Sequence, residues 1–111
     1  MSRTSHTAFF GDAEHVFDLA RPEIVRELEA VTSTGIGALV TRVCETRQFH
    51  HADLEHVLRL GLVGGGLDAK TAARLVAHYL PLMPLAEAQI VAMGALGALW
   101  FGVKTSDEAT A

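Results

Sequence analysis

The stretch GLVGGGLDAKTAARLV, residues 61–76, decides how the chain is interpreted, because it could either hold a phosphate group or join two helices. From Gly64 it reads GGGLDAKT, one residue away from the phosphate-loop pattern G-x-x-x-x-G-K-[ST], with Ala69 at the second glycine. A phosphate loop follows a β-strand, whereas the apolar residues before Gly64 recur at helical spacing. The stretch therefore predicts a tight corner, at which one helix ends in glycine and Asp68 caps the next.

Helical periodicity predicts further helices on both sides of this corner. Pro22 is a favourable first residue for one helix, and Asp53 or a neighbour can cap another. Residues 84–101 are apolar nearly all round, which favours a central position for the last helix. The expected inner faces of the other helices are Ile24, Val25, Leu28 and Val31; Ile36, Leu39, Val40 and Val43; Leu54, Val57, Leu58 and Leu62; and Ala72, Leu75, Val76, Tyr79 and Leu80.

The N-terminal stretch TAFFGDAEHVFDLA, residues 7–20, has two apolar, aromatic clusters around the turn-prone GDAE, which predicts a small β-hairpin. The expected fold is therefore mainly α (α+β), with a short N-terminal β-hairpin followed by about five short helices in one compact domain, residues 7–103. Residues 1–6 and 104–111 are polar and aperiodic, so we expect both ends to be disordered.

Composition and charge narrow the classes of function. The 111 residues suffice for one domain, half of them are apolar, and the formal net charge is −4 with dispersed basic residues, which argues against nucleic-acid binding. A single cysteine excludes an intrachain disulfide, and the absence of a signal-peptide pattern predicts a cytoplasmic protein. The charge-free segment 90–103 is shorter than the roughly 20 residues of a membrane span, so we expect a core helix and no membrane partner.

The histidine cluster and Cys44 are two candidate chemical sites, and each has a structural explanation that is favoured over the chemical one. The cluster HHADLEH contains His50, His51, Glu55 and His56 but lacks the H-E-x-x-H order of zinc helices, and a further ligand would have to come from elsewhere, for example His78 or Asp53. Cys44 lies beside an apolar stripe and is expected in the core.

A small nucleotide-dependent protein using Lys70 and Thr71 remains the less favoured alternative from a different functional class. No catalytic, metal or cofactor signature appears elsewhere, so we expect a non-enzymatic protein without a cofactor.

The last third of the chain carries more large apolar residues than one inward face usually holds. Some of them are therefore expected on the surface, where they would bind another protein. The expected contacts are Leu85, Met93, Trp100 and Phe101, supported by Leu62 and Tyr79.

Four stretches in order carry a resemblance to a known family: FFGDAEHVFDLA, LEAVTSTGIGALVTRV, DLEHVLRLGLVGGGLDAKTAARLV and PLAEAQIVAMGALGALWFG. Together they resemble the gene transfer agent family of phage-tail-like proteins, also described as phage tail assembly chaperones. The resemblance covers roughly residues 8 to 102.

This resemblance implies a non-enzymatic role in building a phage-like tail inside a bacterial cell. Such chaperones coat the tape measure protein, help to recruit tail tube protein subunits and are absent from the finished particle. The family is also labelled tail tube protein, but a tube subunit needs long strands, and this chain is predicted to be helical. A structural tail component retained in the particle is the alternative, and a homo-oligomer is left open.

Overall fold

The computed structural model describes residues 3–103, and the expected disorder of residues 1–2 and 104–111 lies outside this range. The chain begins with two antiparallel strands, β1 (Ser5–Phe10) and β2 (Ala13–Asp18), in which Phe10 pairs with Ala13. The strands turn at Gly11, whose φ of 72° suits glycine. β1 begins two residues before the predicted domain start at residue 7.

Five α-helices follow the hairpin, as the sequence predicts. They are α1 (Pro22–Thr32), α2 (Ile36–Thr41), α3 (His51–Gly64), α4 (Ala69–Tyr79) and α5 (Leu85–Phe101). A π-helical turn (Arg42–Thr46) extends α2, and a 3₁₀ turn (Leu80–Leu82) extends α4. The prediction of a short hairpin followed by about five helices in one domain is confirmed.

α3 lies at the centre of the fold, where it packs against β2 and against α1, α4 and α5. It contributes a large share of the buried side chains, including Leu54, Leu58 and Leu62. α5, expected at the centre, packs against α3, both strands, α2 and the π-helical turn and leaves one face exposed, with Ile90 and Phe101 on the surface. Other elements thus pack against α5, as expected, but they cover only part of its surface, and a sequence that is apolar all round gave no indication of which face stays exposed.

The glycine corner joins α3 to α4, as predicted. Its glycines allow close packing against β2 as well as the turn itself. Gly66 has a φ of 117°. Gly64 and Gly65 lie directly against the backbone of β2, where a Cβ on either glycine would overlap a carbonyl oxygen, that of Asp18 or Val16 respectively. Glycine at these positions lets the end of a helix meet a strand at backbone distance.

The start of α4 confirms the predicted cap. The backbone N–H of Thr71 donates to Oδ2 of Asp68 at 3.1 Å. The Thr71 hydroxyl and N–H together lower the pKa of the Asp68 carboxyl, because both donate to its charged form. At the start of α3, by contrast, Asp53 lies in the first turn and accepts from the backbone N–H of His50 at 2.9 Å, so His50 is the capping position.

Replacing Asp68 with alanine is expected to lower the Tm by a few degrees, since the first turn of α4 loses an acceptor for its free N–H groups. The folded pKa of Asp68 is depressed, so its contribution is complete above the unfolded pKa, about 3.9, and is lost as the pH falls through the folded value. Thermal unfolding followed by circular dichroism at pH 7 and pH 2.5 measures this. The exposed Lys70, replaced by alanine, is the control; a difference between wild type and Asp68→Ala that stays the same at both pH values would contradict the prediction.

Candidate functional site

An apolar groove of about 390 Å³ lies between the hairpin tip and the first half of α5. Its walls include Phe9 of β1, Tyr79 at the end of α4, Leu82 of the 3₁₀ turn and Ile90 of α5. Phe9, Leu82 and Ile90 are 65–70% exposed, although each is a large apolar side chain. We call this feature the hairpin groove.

Successive side chains of β1 point to opposite faces of the sheet, and this alternation positions one wall of the groove. Phe10 points inwards, where it meets the rings of Phe17 and Tyr79 edge-on at centroid distances of 6.2 and 6.5 Å. Its neighbour Phe9 must then point to the opposite face, because successive side chains of a strand alternate. The Tyr79 ring packs directly over Gly11, where a Cβ would overlap it, so α4 supports the hairpin tip.

The two prolines after α4 position the other wall. Pro81 lies in the 3₁₀ turn, and Pro84 is the N-cap residue of α5, so the chain reverses within a few residues. Leu82 stands between these prolines and projects into solvent. Leu85, at the start of α5, is also more than half exposed.

The exposed face of α5 continues the apolar surface away from the groove. Ile90, Met93, Gly97, Trp100 and Phe101 are spaced three or four residues apart along it, or are neighbours at its end, and therefore share one helix face. We call this face the α5 strip. No charged residue occurs in α5 after Glu87. A run of exposed apolar side chains without charges is typical of a protein-binding surface.

The structure brings together most, but not all, of the residues predicted from the sequence as contacts. Tyr79 lines the hairpin groove, and Leu85 is exposed near it. On the α5 strip, Trp100 and Phe101 are exposed, whereas Met93 is half-buried and packs against the core. Trp100 rests against α2, where its ring lies 3.6 Å from the Cβ position of Gly37.

Leu62 is only 1% exposed, belongs to the core and lines neither the hairpin groove nor the α5 strip. Phe9, Leu82 and Ile90 were missed as surface residues. For Phe9 the strand alternation of the adjacent pair Phe9 and Phe10 was the available signal; for Ile90 the sequence held none.

Acidic groups border the groove. Glu87 lines it. Glu14, which pairs with Phe9 across the hairpin, and Asp12, which follows Gly11, lie beyond its lining residues at the hairpin tip, and Glu14 also lines a smaller depression at the glycine corner. Nε2 of His15 lies 2.9 Å from Oδ1 of Asp12, and this hydrogen bond lowers the pKa of the Asp12 carboxyl. None of the residues lining the groove is a lysine or arginine.

The glycine corner does not have the geometry of a phosphate site. α3, and not a strand, leads into Gly64, and β1 and β2 are the two strands that the described residues form. The N–H of Thr71 already donates to Asp68. Lys70 is exposed in the first turn of α4.

Members of the histidine cluster also have structural partners. Nδ1 of His51 lies 3.1 Å from Oε1 of Glu55, and both side chains are about half exposed. Asp53 is buried and forms an ion pair with Arg42. Within residues 3–103, no group of three or more histidine, cysteine or carboxylate side chains is placed to hold a metal ion.

Cys44 is partly buried beside the core, and burial raises the pKa of its thiol, which lowers the fraction of reactive thiolate at neutral pH. Among the helices of the described residues, none combines the length and the apolar character needed to cross a membrane.

Comparison with known proteins gives one match. The profile of the family described as "Phage tail tube protein, GTA-gp10" matches residues 3–102, which is nearly the whole chain. No curated protein and no solved structure matches this chain.

Proposed function

This chain belongs to the gene transfer agent family described as "Phage tail tube protein, GTA-gp10", and from that premise we propose that it is an assembly chaperone for a phage-like tail. It binds apolar helices of the tape measure protein inside the bacterial cell and presents them to tail tube protein subunits. The chain performs no catalytic step in this role. The resemblance of its sequence to tail assembly chaperones supports the choice of partners.

The observation that carries the proposal is the continuous apolar surface formed by the hairpin groove and the α5 strip. Phe9, Leu82, Ile90 and Phe101 are each at least 65% exposed, and exposed apolar area of this kind is costly for a protein without a partner. A helix laid along α5 would place apolar side chains, one turn apart, over this surface. Part of the surface would be covered by each tape measure helix and released when the tube forms.

The small sheet of this chain supports the role of an assembly chaperone more than that of a tail tube subunit. The described residues contain one sheet of two strands with six residues each. A ring of tube subunits needs longer strands that pair from one subunit to the next, and this fold is dominated by helices.

A structural component retained in the tail is the second candidate, and the description of the family as a tail tube protein favours it. Mass spectrometry of purified particles separates the two roles. A chaperone is expected to be absent from mature particles, whereas a structural component is present in a fixed ratio to the tube protein.

Co-expression with a tape measure segment tests capture directly. We expect the wild-type chain to keep the segment soluble and to elute with it in size-exclusion chromatography. Phe9→Ser and Ile90→Ser should each weaken binding about tenfold, because each removes an exposed apolar anchor from the groove.

The matched controls are Val16→Ser and Val31→Ser, in a strand and a helix respectively, which are also exposed but do not line the groove. They should leave binding unchanged. A tape measure segment that aggregates as much with the wild-type chain as without it would refute capture.

A further inference from the structure

The hairpin groove combines an apolar floor with an acidic border, and the two features together restrict what can bind there. Glu87 lines the groove one turn before Ile90 on α5. Glu14 lies directly across the hairpin from Phe9, so the two side chains are on the same face of the sheet. Asp12 adds a third carboxylate at the turn beside Gly11.

These carboxylates have no cationic side chain to neutralise them within the groove. Glu14 and Glu87 are exposed, and neither forms an ion pair within residues 3–103. Asp12 forms a hydrogen bond with His15, which does not line the groove. Elsewhere, Asp53 and Glu27 each face an arginine. The apolar groove is thus bordered by negative charge.

We infer that the hairpin groove selects an amphipathic helix that carries lysine or arginine about one turn from its apolar anchor. This inference rests on the proposed function and specifies the chemistry of the helix that is captured. On a helix, residues three or four positions apart lie on one face about 5–6 Å apart. An apolar side chain seated between Phe9 and Ile90 therefore brings a cation in the next turn towards Glu87 on one side or towards the Glu14 that neighbours Phe9 on the other.

Charge at the border contributes selectivity, while the apolar floor contributes most of the binding energy. Exposed charges in water contribute little each, yet opposite charges across an interface raise the association rate and like charges disfavour wrong partners. An acidic helix of equal apolar content would approach three carboxylates and be rejected. The net charge of the chain, −4, acts in the same direction.

Three labelled peptides test the inference. They share a leucine and alanine scaffold of about 18 residues, which forms five helical turns. The residues on the flanks of the apolar face are lysine in the first peptide, glutamine in the second and glutamate in the third. In fluorescence polarisation at low ionic strength, we expect the lysine peptide to bind about fivefold more tightly than the glutamine peptide and the glutamate peptide to bind most weakly. The differences should shrink in 0.5 M salt because exposed charges are screened.

Charge reversal identifies the groove as the source of the selectivity. Glu87→Lys should abolish the preference for the lysine peptide or turn it towards the glutamate peptide. Glu23→Lys is the matched control, since Glu23 is also an exposed glutamate in the first turn of a helix but belongs to α1. It changes net charge and helix-end electrostatics equally and should keep the wild-type order of affinities. Circular dichroism confirms that both variants are folded.

The possible results separate this inference from the function on which it rests. Equal affinities for the three peptides would overturn the charge selectivity and leave capture of apolar helices in place. An equal loss of preference in Glu87→Lys and Glu23→Lys would also overturn it, because the effect would then come from net charge. Binding of none of the peptides would refute groove capture together with the inference.

Discussion

Replacing Gly64 with alanine is expected to lower the free energy of unfolding by about 3 kcal/mol or more, although alanine is normally the better residue in a helix. Gly64 is the last residue of α3, and the carbonyl oxygen of Asp18 occupies the space that a Cβ would need. A flexible side chain could rotate away, but this obstacle is backbone of β2. Relief therefore requires the hairpin and α3 to separate, which would disturb the contact between Gly61 and Phe17 one turn earlier.

Gly97→Ala is the matched control, with an expected effect of the opposite sign. Gly97 also lies within a helix, but no atom comes within 4 Å of its Cβ position. Alanine there should raise the free energy of unfolding by about 0.5–1 kcal/mol through helix propensity alone. Urea unfolding followed by circular dichroism measures both variants. A Gly64→Ala protein within about 1 kcal/mol of wild type would show that backbone contact does not fix this corner.

Replacing Arg42 with methionine is expected to lower the free energy of unfolding by about 3 kcal/mol. Arg42, in the π-helical turn after α2, pairs with Asp53 in the first turn of α3. The Asp53 side chain is only 4% exposed, so removal of the guanidinium leaves a buried carboxylate with the N–H of His50 as its remaining donor. Methionine keeps the apolar stem, so the loss reports mainly on the unpaired charge.

Two further variants distinguish this mechanism from general damage. Arg26→Met replaces an exposed arginine of α1 and should change stability by less than about 0.5 kcal/mol. The double variant Arg42→Met, Asp53→Asn removes both charges, while the amide oxygen can still accept from the N–H of His50, and it should recover much of the loss because no unpaired charge stays buried. If the double variant is as unstable as Arg42→Met alone, the cost arises from packing and not from the buried charge.

The part of the fold that the sequence predicted depends on local interactions. Local signals such as Pro22, the GDAE turn and the Asp68 cap act on residues a few positions away. Their effect can therefore be derived from the neighbouring sequence. The glycine corner was predicted for the same reason. The predicted cap at Asp53 or a neighbour lies three positions earlier, at His50, because a carboxylate in the first turn can accept from the N–H of the capping residue as well as serve as the cap itself.

The candidate site could be predicted only in outline. An excess of large apolar residues near the C-terminus indicated a binding surface, and Trp100 and Phe101 are indeed exposed. Leu62 and Ile90 are both aliphatic residues in apolar segments of the sequence, yet Leu62 is buried and Ile90 is 65% exposed. The difference arises because other elements cover α3 at Leu62, whereas Ile90 lies on the face of α5 that no other element covers.

By itself, then, the sequence determined the order of the hairpin and helices, the corner at the three glycines and the family to which the chain belongs. The tertiary structure alone decided which side of α5 faces solvent and where the hairpin meets α3. The physical reason is the range of the contacts involved: Gly64 touches Asp18 across 46 residues of sequence, and no local propensity reports which distant backbone will occupy that space.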